Sequence, residues 1–243
     1  MFGRIILYIA AIFIFTSFSN AQIHQSGLFT VSVPDVGAGY SFQKFSDTRG
    51  DFDEIAKPAL ETSINAEYFL ARQFFVNLRA GYSIQNSETR LSEEFTYLKN
   101  GVLMTGQFRY EYELELRSLH IYPGVGIKDG HFSIMAGFGY NLVGGTHEKY
   151  RERLTEPEDA VFEGGGRIRN ETEGEVADMK DSYISFWAGA SYDFPLNRRE
   201  SIYLTPSLRY DFSSVSVNQT ADWKYQKLII GIAAKFNFSR LFE

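Results

Sequence analysis

The sequence predicts an all-β protein: a transmembrane up-and-down antiparallel β-barrel of about eight strands, with one projecting extracellular hairpin and one long charged loop. Three observations point there. From Val33 onward apolar and polar residues alternate with a period of two. Tight turns alternate with mostly longer connections. On the apolar faces, aromatic residues fall in two groups with aliphatic residues between them.

The first element is not a strand. Met1 to Arg4 supplies one positive side chain, Ile5 to Phe15 is an apolar run, and Ser17 to Ala21 is mostly small and polar. Ser19 and Ala21 occupy the −3 and −1 positions of a cut before Gln22, the pattern of a cleavable signal peptide. The apolar run is about half the ~20 residues that a spanning helix needs. Residues 1–21 are therefore expected to be a signal peptide and residues 22–243 an outer-membrane barrel. Cleavage removes Arg4 and leaves 23 basic side chains against 30 acidic ones, a net charge of −7.

Composition narrows the function classes. There is no cysteine, which excludes disulfides, thiolate metal sites, a cysteine nucleophile and a lipidated N-terminal cysteine. Negative net charge argues against nucleic acid as a partner. The 22 Phe, 15 Tyr and 21 Gly suit a β-structure with crowded positions and an interface to furnish.

The strands follow in order. Val36, Ala38, Tyr40 and Phe42 alternate with Gly37, Gly39, Ser41 and Gln43. Leu60, Ile64, Ala66, Tyr68 and Leu70 alternate with Glu61, Ser63, Asn65 and Glu67. Phe74 through Ile84 and Phe132 through Leu142 repeat the pattern. So do Ile184 to Phe194, Ile202 to Phe212, and Leu228 to Phe238. The remaining strand comes from the Asn100-Gly101 turn, since both residues tolerate positive φ. Pairing outward from Lys99 and Val102 sets Phe74 opposite Ile127 and Ala80 opposite Ile121, with no bulge.

Arg72-Gln73, Lys128-Asp129-Gly130 and Asn197 to Glu200 are the tight turns, expected on the periplasmic side. Ser46 to Pro58, the Asn100-Gly101 tip, Gly144 to Lys180 and Val217 to Ala221 are the opposite connections. One rim then holds Tyr68, Phe74, Phe132, Tyr192, Phe194, Phe236 and Phe238. The other holds Phe42, Tyr82, Tyr140, Phe186, Tyr210 and Phe212.

Ser19-Asn20-Ala21-Gln22, Gly37-Ala38-Gly39-Tyr40, Ala80-Gly81-Tyr82, Gly137-Phe138-Gly139-Tyr140 and the closing strand Ile230 to Phe238 carry a resemblance. The layout resembles the OmpA-type and porin-like outer-membrane β-barrel domain families of Gram-negative bacteria. The resemblance implies outer-membrane lipid and the barrel-assembly machinery as partners. It covers nearly the whole mature chain but specifies no activity. The chain continues through Ser239 to Glu243 after the last strand, so either Phe238 or Phe242 would serve as the assembly signal.

Three constellations remain. The expected lumen gathers Glu61, Glu67, Arg79, His120, Asp193, Arg209, Asp211, Lys227 and Lys235. Read structurally, these form an ion-pair core that plugs a small barrel; read functionally, they form a polar pathway for small solutes. In the hairpin Asn86 to Glu115, Glu111, Glu113 and Glu115 face Arg90, Glu88 and Asn86, while Tyr110, Tyr112, Leu114 and Leu116 share the other face with Leu91. That face continues the lumen side unless a bulge near Arg117-Ser118 reverses it. The loop Gly144 to Lys180 reads as solvated, with a flexible tip at Glu163-Gly164-Gly165-Gly166-Arg167.

No cofactor or metal site is expected, because no ordered carboxylate ladder or histidine spacing occurs. His131-Phe132-Ser133 superficially matches the His-x-Ser pair of lipid A deacylases of this fold, but it lies at the periplasmic end, and Glu148 lies at the far end of its strand. The expected function is non-enzymatic: envelope integrity, or binding of an extracellular ligand through the loops. The alternative is a narrow porin-like channel for small solutes, and the third reading is a lipid-modifying or proteolytic outer-membrane enzyme.

Overall fold

Eight long strands, each antiparallel to both neighbours, close into a ring. The computed structural model describes residues 28–47, 49–99 and 101–241. The expected signal peptide, Asn100 of the hairpin turn and Phe242 lie outside the described residues. The elements are β1 (Phe29–Asp47), β2 (Gly50–Asp51), β3 (Asp53–Phe69), β4 (Phe74–Lys99), β5 (Val102–Asp129) and β6 (Phe132–Glu156). They continue with β7 (Ile168–Gly174), β8 (Ser182–Tyr192), β9 (Phe194–Pro195), β10 (Ile202–Ser213), β11 (Asp222–Asn237) and the short helix α1 (Phe238–Leu241). The ring runs β1-β3-β4-β5-β6-β8-β10-β11 and closes where β11 pairs β1. No helix among the described residues is long and apolar enough to cross a membrane.

Polarity is inverted relative to a water-soluble barrel. Val36, Leu60, Ile64, Leu78, Val125, Ile134, Leu208, Ile230 and Ile232 point outward and are exposed. Ser63, Asn65, Gln85, Ser118, Asn141 and Ser185 point inward and are buried. Water would penalise such an outer surface, whereas lipid accepts it and the closed ladder leaves no sheet edge in the apolar layer. Tyr68, Phe74, Phe132, Tyr192, Phe194 and Phe238 stand exposed at the short-turn end, and Tyr140, Phe186, Tyr210 and Phe212 at the other.

Bulky lumen side chains fit because glycine faces them. A Cβ on Gly126 would lie 2.2 Å from the Phe75 ring, and one on Gly139 would lie 2.3 Å from Tyr122. β4 and β5 pair without a shift from Phe74↔Ile127 to Lys99↔Val102, as counted back from the turn. At the tip Gly101 has φ +80°.

The sequence placed too much chain in loops at the end away from the short turns. Most of Ser46 to Pro58 is strand: β1 runs to Asp47, β3 begins at Asp53, and β2 pairs with Ser46 and Asp47. The first part of Gly144 to Lys180 continues β6 to Glu156, and β7 then folds back along it. The charges read as solvation of a loop are cross-strand pairs, among them Lys149–Glu171 at 2.9 Å and Arg169–Glu152 at 2.6 Å. The glycine tip is a hydrogen-bonded turn, where Phe162 and Gly165 N–H groups donate to the Gly166 and Phe162 carbonyls. Together β4, β5, β6 and β7 form a four-stranded extension that rises past the aromatic rim. A register shift does occur at Arg117/Ser118, but against β6, where Gly144 is the extra residue. The β4–β5 facing is therefore not reversed.

Candidate functional site

The lumen is built around Glu61 on β3. Its Oε2 accepts hydrogen bonds from Arg209 and from Lys227 Nζ, the latter at 3.1 Å. Its Oε1 lies 3.4 Å from His120 Nε2 and 3.9 Å from Arg79. Arg209 and Lys227 also reach Asp211, at 3.0 and 3.2 Å. A second cluster lies toward the short turns, where Lys235 bridges Glu67 at 2.8 Å and Asp193 at 3.2 Å. The nine residues singled out from the sequence thus fall into two groups, six around Glu61 and three around Lys235.

Two further members were not singled out. Asp35 pairs with Arg79 at 3.0 Å, and Lys128 pairs with Asp193 at 2.5 Å. Asp35 was missed because the register of β1 shifts between Ser32 and Asp35, across Val33-Pro34. Proline cannot donate to the ladder, and that is the signal by which the shift could have been found. Lys128 was assigned to a turn but belongs to β5. With these two, five carboxylates face five cations, and His120 packs tilted against Tyr122 with centroids 4.5 Å apart. Arg209 and Lys227 also lie over the Tyr122 ring at 5.4 and 5.6 Å, so the cations have aromatic as well as carboxylate partners.

The two ends of the barrel differ. At the extension end, Phe45, Phe52, Leu114, Leu116, Tyr183, Val217, Trp223 and Tyr225 bury one another across the mouth. The Lys180 N–H donates to the Val217 carbonyl and ties two connections together there. At the short-turn end a cleft of about 280 Å³ opens among Phe69, Arg72, Lys128, His131, Glu200 and Tyr203.

The extension has two unlike faces. Inward, rings run in contact from Tyr97 through Phe95, Phe108, Tyr110 and Tyr150 to Tyr112, with centroids 4.7 to 6.4 Å apart. Arg49 stacks on Tyr110 at 4.6 Å and bonds the Tyr112 hydroxyl at 2.5 Å. Outward, Glu111 collects Arg151 at 2.5 Å and Arg153 at 3.4 Å, while Glu88 collects Lys57 and Arg90, each at 2.5 Å. Burial pushes the Glu88 carboxyl up, but Lys57 and Arg90 outweigh it and hold the group below the usual carboxylate range. Glu152 is also held low, because hydrogen bonds from Asn170, Arg169 and Tyr150 outweigh its burial.

The sequence match to a deacylase pair is not assembled. The His131 ring lies against Tyr192 and Tyr203, and the Ser133 hydroxyl is buried. Glu148 pairs with Leu114 in the extension, at the opposite end of β6. His147 pairs with Glu173 at 3.2 Å. Among the described residues no group of three or more His, Asp or Glu side chains could hold a metal ion.

The sequence matches no protein-family model and no curated protein. Among solved structures the chain is similar to Ail, the attachment invasion locus protein of Yersinia pestis, at 14% identity, covering 87% of this chain and 100% of that one with a TM-score of 0.35. It is similar to the outer membrane protein OprG of Pseudomonas aeruginosa at 13% identity, covering 90% and 99% with a TM-score of 0.41. It is also similar to the outer membrane protease OmpT of Escherichia coli at 9% identity, covering 87% and 97% with a TM-score of 0.35. Identities between 9% and 14% assign the chain to no family.

Proposed function

We propose that this chain is a non-enzymatic outer-membrane barrel that acts on the outside of the cell by binding through its extension. In this reading it is exported by a signal peptide ending at Ala21, and the short turns face the periplasm. Outer-membrane lipid covers the apolar belt, and the assembly machinery engages the last strand near Phe238. The observation that carries the reading is the extension itself: β4, β5 and β6 leave the belt together, and their inner face joins the apolar cluster across the mouth. Ordered backbone standing in water is where a rigid scaffold places its binding groups.

The lumen is then structural. Its five carboxylates and five cations hold the wall from inside and, with the mouth cluster, keep the barrel closed. A second reading, a narrow channel, draws on the cleft at the short-turn end, which approaches Lys128 and the lower ion pairs from one side. Planar-bilayer recording separates the two. The closed barrel gives no steady conductance, and channels of uniform size would overturn it. Protease shaving of intact cells should cut within residues 148–178, and a pull-down with those residues shortened should lose partners that the intact protein retains. Resistance to shaving with an unchanged partner set would sink the outward-binding reading. N-terminal sequencing of the purified protein should begin at Gln22.

A further inference from the structure

We propose that the tip of the β4–β5 hairpin is a lipid-docking finger that dips into the surface of an apposed phospholipid bilayer. The proposal rests on the outward orientation of the extension proposed above. β6 ends at Glu156, opposite Gln107, so the hairpin beyond that point is only two strands wide. Leu98 and Leu103 face each other on one side of it, 68% and 70% exposed. No large apolar side chain of the lipid-facing belt is as exposed as either. Val102 and Met104 stand exposed on the opposite side. A protein groove covers one face of a hairpin, whereas a lipid surface surrounds a tip that is apolar on both faces.

The order of residues repeats that of the belt. Aliphatic side chains come first, and behind them on the inner face follow the rings of Phe95 and Phe108, with Tyr97 beside Met104 and centroids 5.7 and 5.8 Å apart. Charge decides which lipid. Lys99, the charged residue among those named at the tip, is paired with Asp159 at 2.7 Å. Without a basic cluster the finger has little to gain from anionic headgroups, so a neutral phospholipid surface is its partner. The chain's own membrane is out of reach. Met104 lies fifteen residues up β5 from Leu119, which pairs with Tyr82 at the rim, or about 50 Å along the strand. The open edges of a two-stranded hairpin keep its backbone out of hydrocarbon, so only the tip side chains enter.

The test uses the full-length barrel in nanodiscs, mixed with phosphatidylcholine vesicles and floated on a density gradient. The wild type should float with the vesicles in low and high salt alike. Leu98→Ser combined with Leu103→Ser should lose about tenfold or more of that binding, while Lys99→Ala should keep it. Heat-modifiability on a gel checks that each barrel is folded. Leu103→Trp should fluoresce to the blue and be quenched by brominated acyl chains. Failure of the wild type to float, equal flotation of the double variant, or dependence on anionic lipid would overturn the proposal. So would an unquenched Trp, or tip-dependent self-association of the barrel in amphipol, where no bilayer is present, which would make a second copy the occupant. Shaving of intact cells reads the outward orientation separately from all of these.

Discussion

The lumen and the extension use the same side chains for opposite ends. Both pair glutamate with arginine and lysine, in the lumen mainly between strands that are not neighbours and in the extension mainly between strands that are. In the lumen, Glu61, Arg209 and Lys227 are almost wholly buried. In the extension the Glu88, Glu111 and Glu152 carboxylates are buried too, but their partners Arg90, Arg153 and Arg169 keep their ends in water. A charge taken out of water is strongly destabilising if its partner is removed, whereas a solvated pair contributes little. The lumen network therefore commits the ring to one arrangement, and the extension network only stiffens a sheet that its aromatic face already organises.

The largest expected effect comes from Glu61→Gln, which leaves Arg209 and Lys227 facing each other with less compensation. Urea unfolding from lipid vesicles should show a loss of about 3–5 kcal/mol. A loss below about 1 kcal/mol would mean that the lumen charges behave like surface ones, and the contrast would collapse. Next is Gly126→Val, whose side chain would overlap the Phe75 ring. Overpacking of this kind costs about 1–3 kcal/mol, and Phe75→Leu in the same chain should recover part of it. An additive double variant would show that the two positions do not share that space.

Acid sharpens the comparison from the other side. Glu88 and Glu152 are held below their ordinary value, so they ionise more readily folded than unfolded. Their contribution is fully present above about pH 4.3, the ordinary glutamate value, and is lost as pH falls through the lower folded values. Glu148 works in the opposite sense, since burial pushes it up, and offsets part of this. Below about pH 4, amide exchange should quicken in β7 and the facing part of β6 before it does in the belt strands. Exchange that quickens first in the belt would reverse the ranking. The smallest effect is expected from Lys149→Ala, which removes an exposed pair with Glu171 and should leave the unfolding midpoint unchanged.

Much of the fold was legible because a membrane barrel writes itself with period two. Counting back from Lys99 and Val102 gave the β4–β5 register pair for pair, since no bulge interrupts it. The lumen charges were legible for the same reason: parity alone sends Glu61, Arg79 and Arg209 inward. Parity failed where the backbone inserts a residue, at Val33-Pro34 and at Gly144. Outside the belt the sequence was harder to read. There charged residues serve strands and loops equally well, and Glu148 to Glu156 carries a strand in a composition that reads as loop. The mouth cluster was also hidden, because Phe52 and Val217 come from segments read as loops, Phe45 lies just before one, and they meet only through the ring's closure.

The unbroken β4–β5 register has a mechanical consequence. A pull on the tip runs lengthwise down both strands, while their hydrogen bonds lie across that direction. Both strands are drawn the same way, so the load meets their ladders to β3 and β6 in shear, 15 pairs on one side and 21 on the other, instead of peeling them one after another. The same two strands form part of the belt, so tension at the tip passes directly into the membrane wall. Such a hairpin acts as a tether whose resistance grows with its length, and its 26 and 28 residues make β4 and β5 the longest strands of the ring.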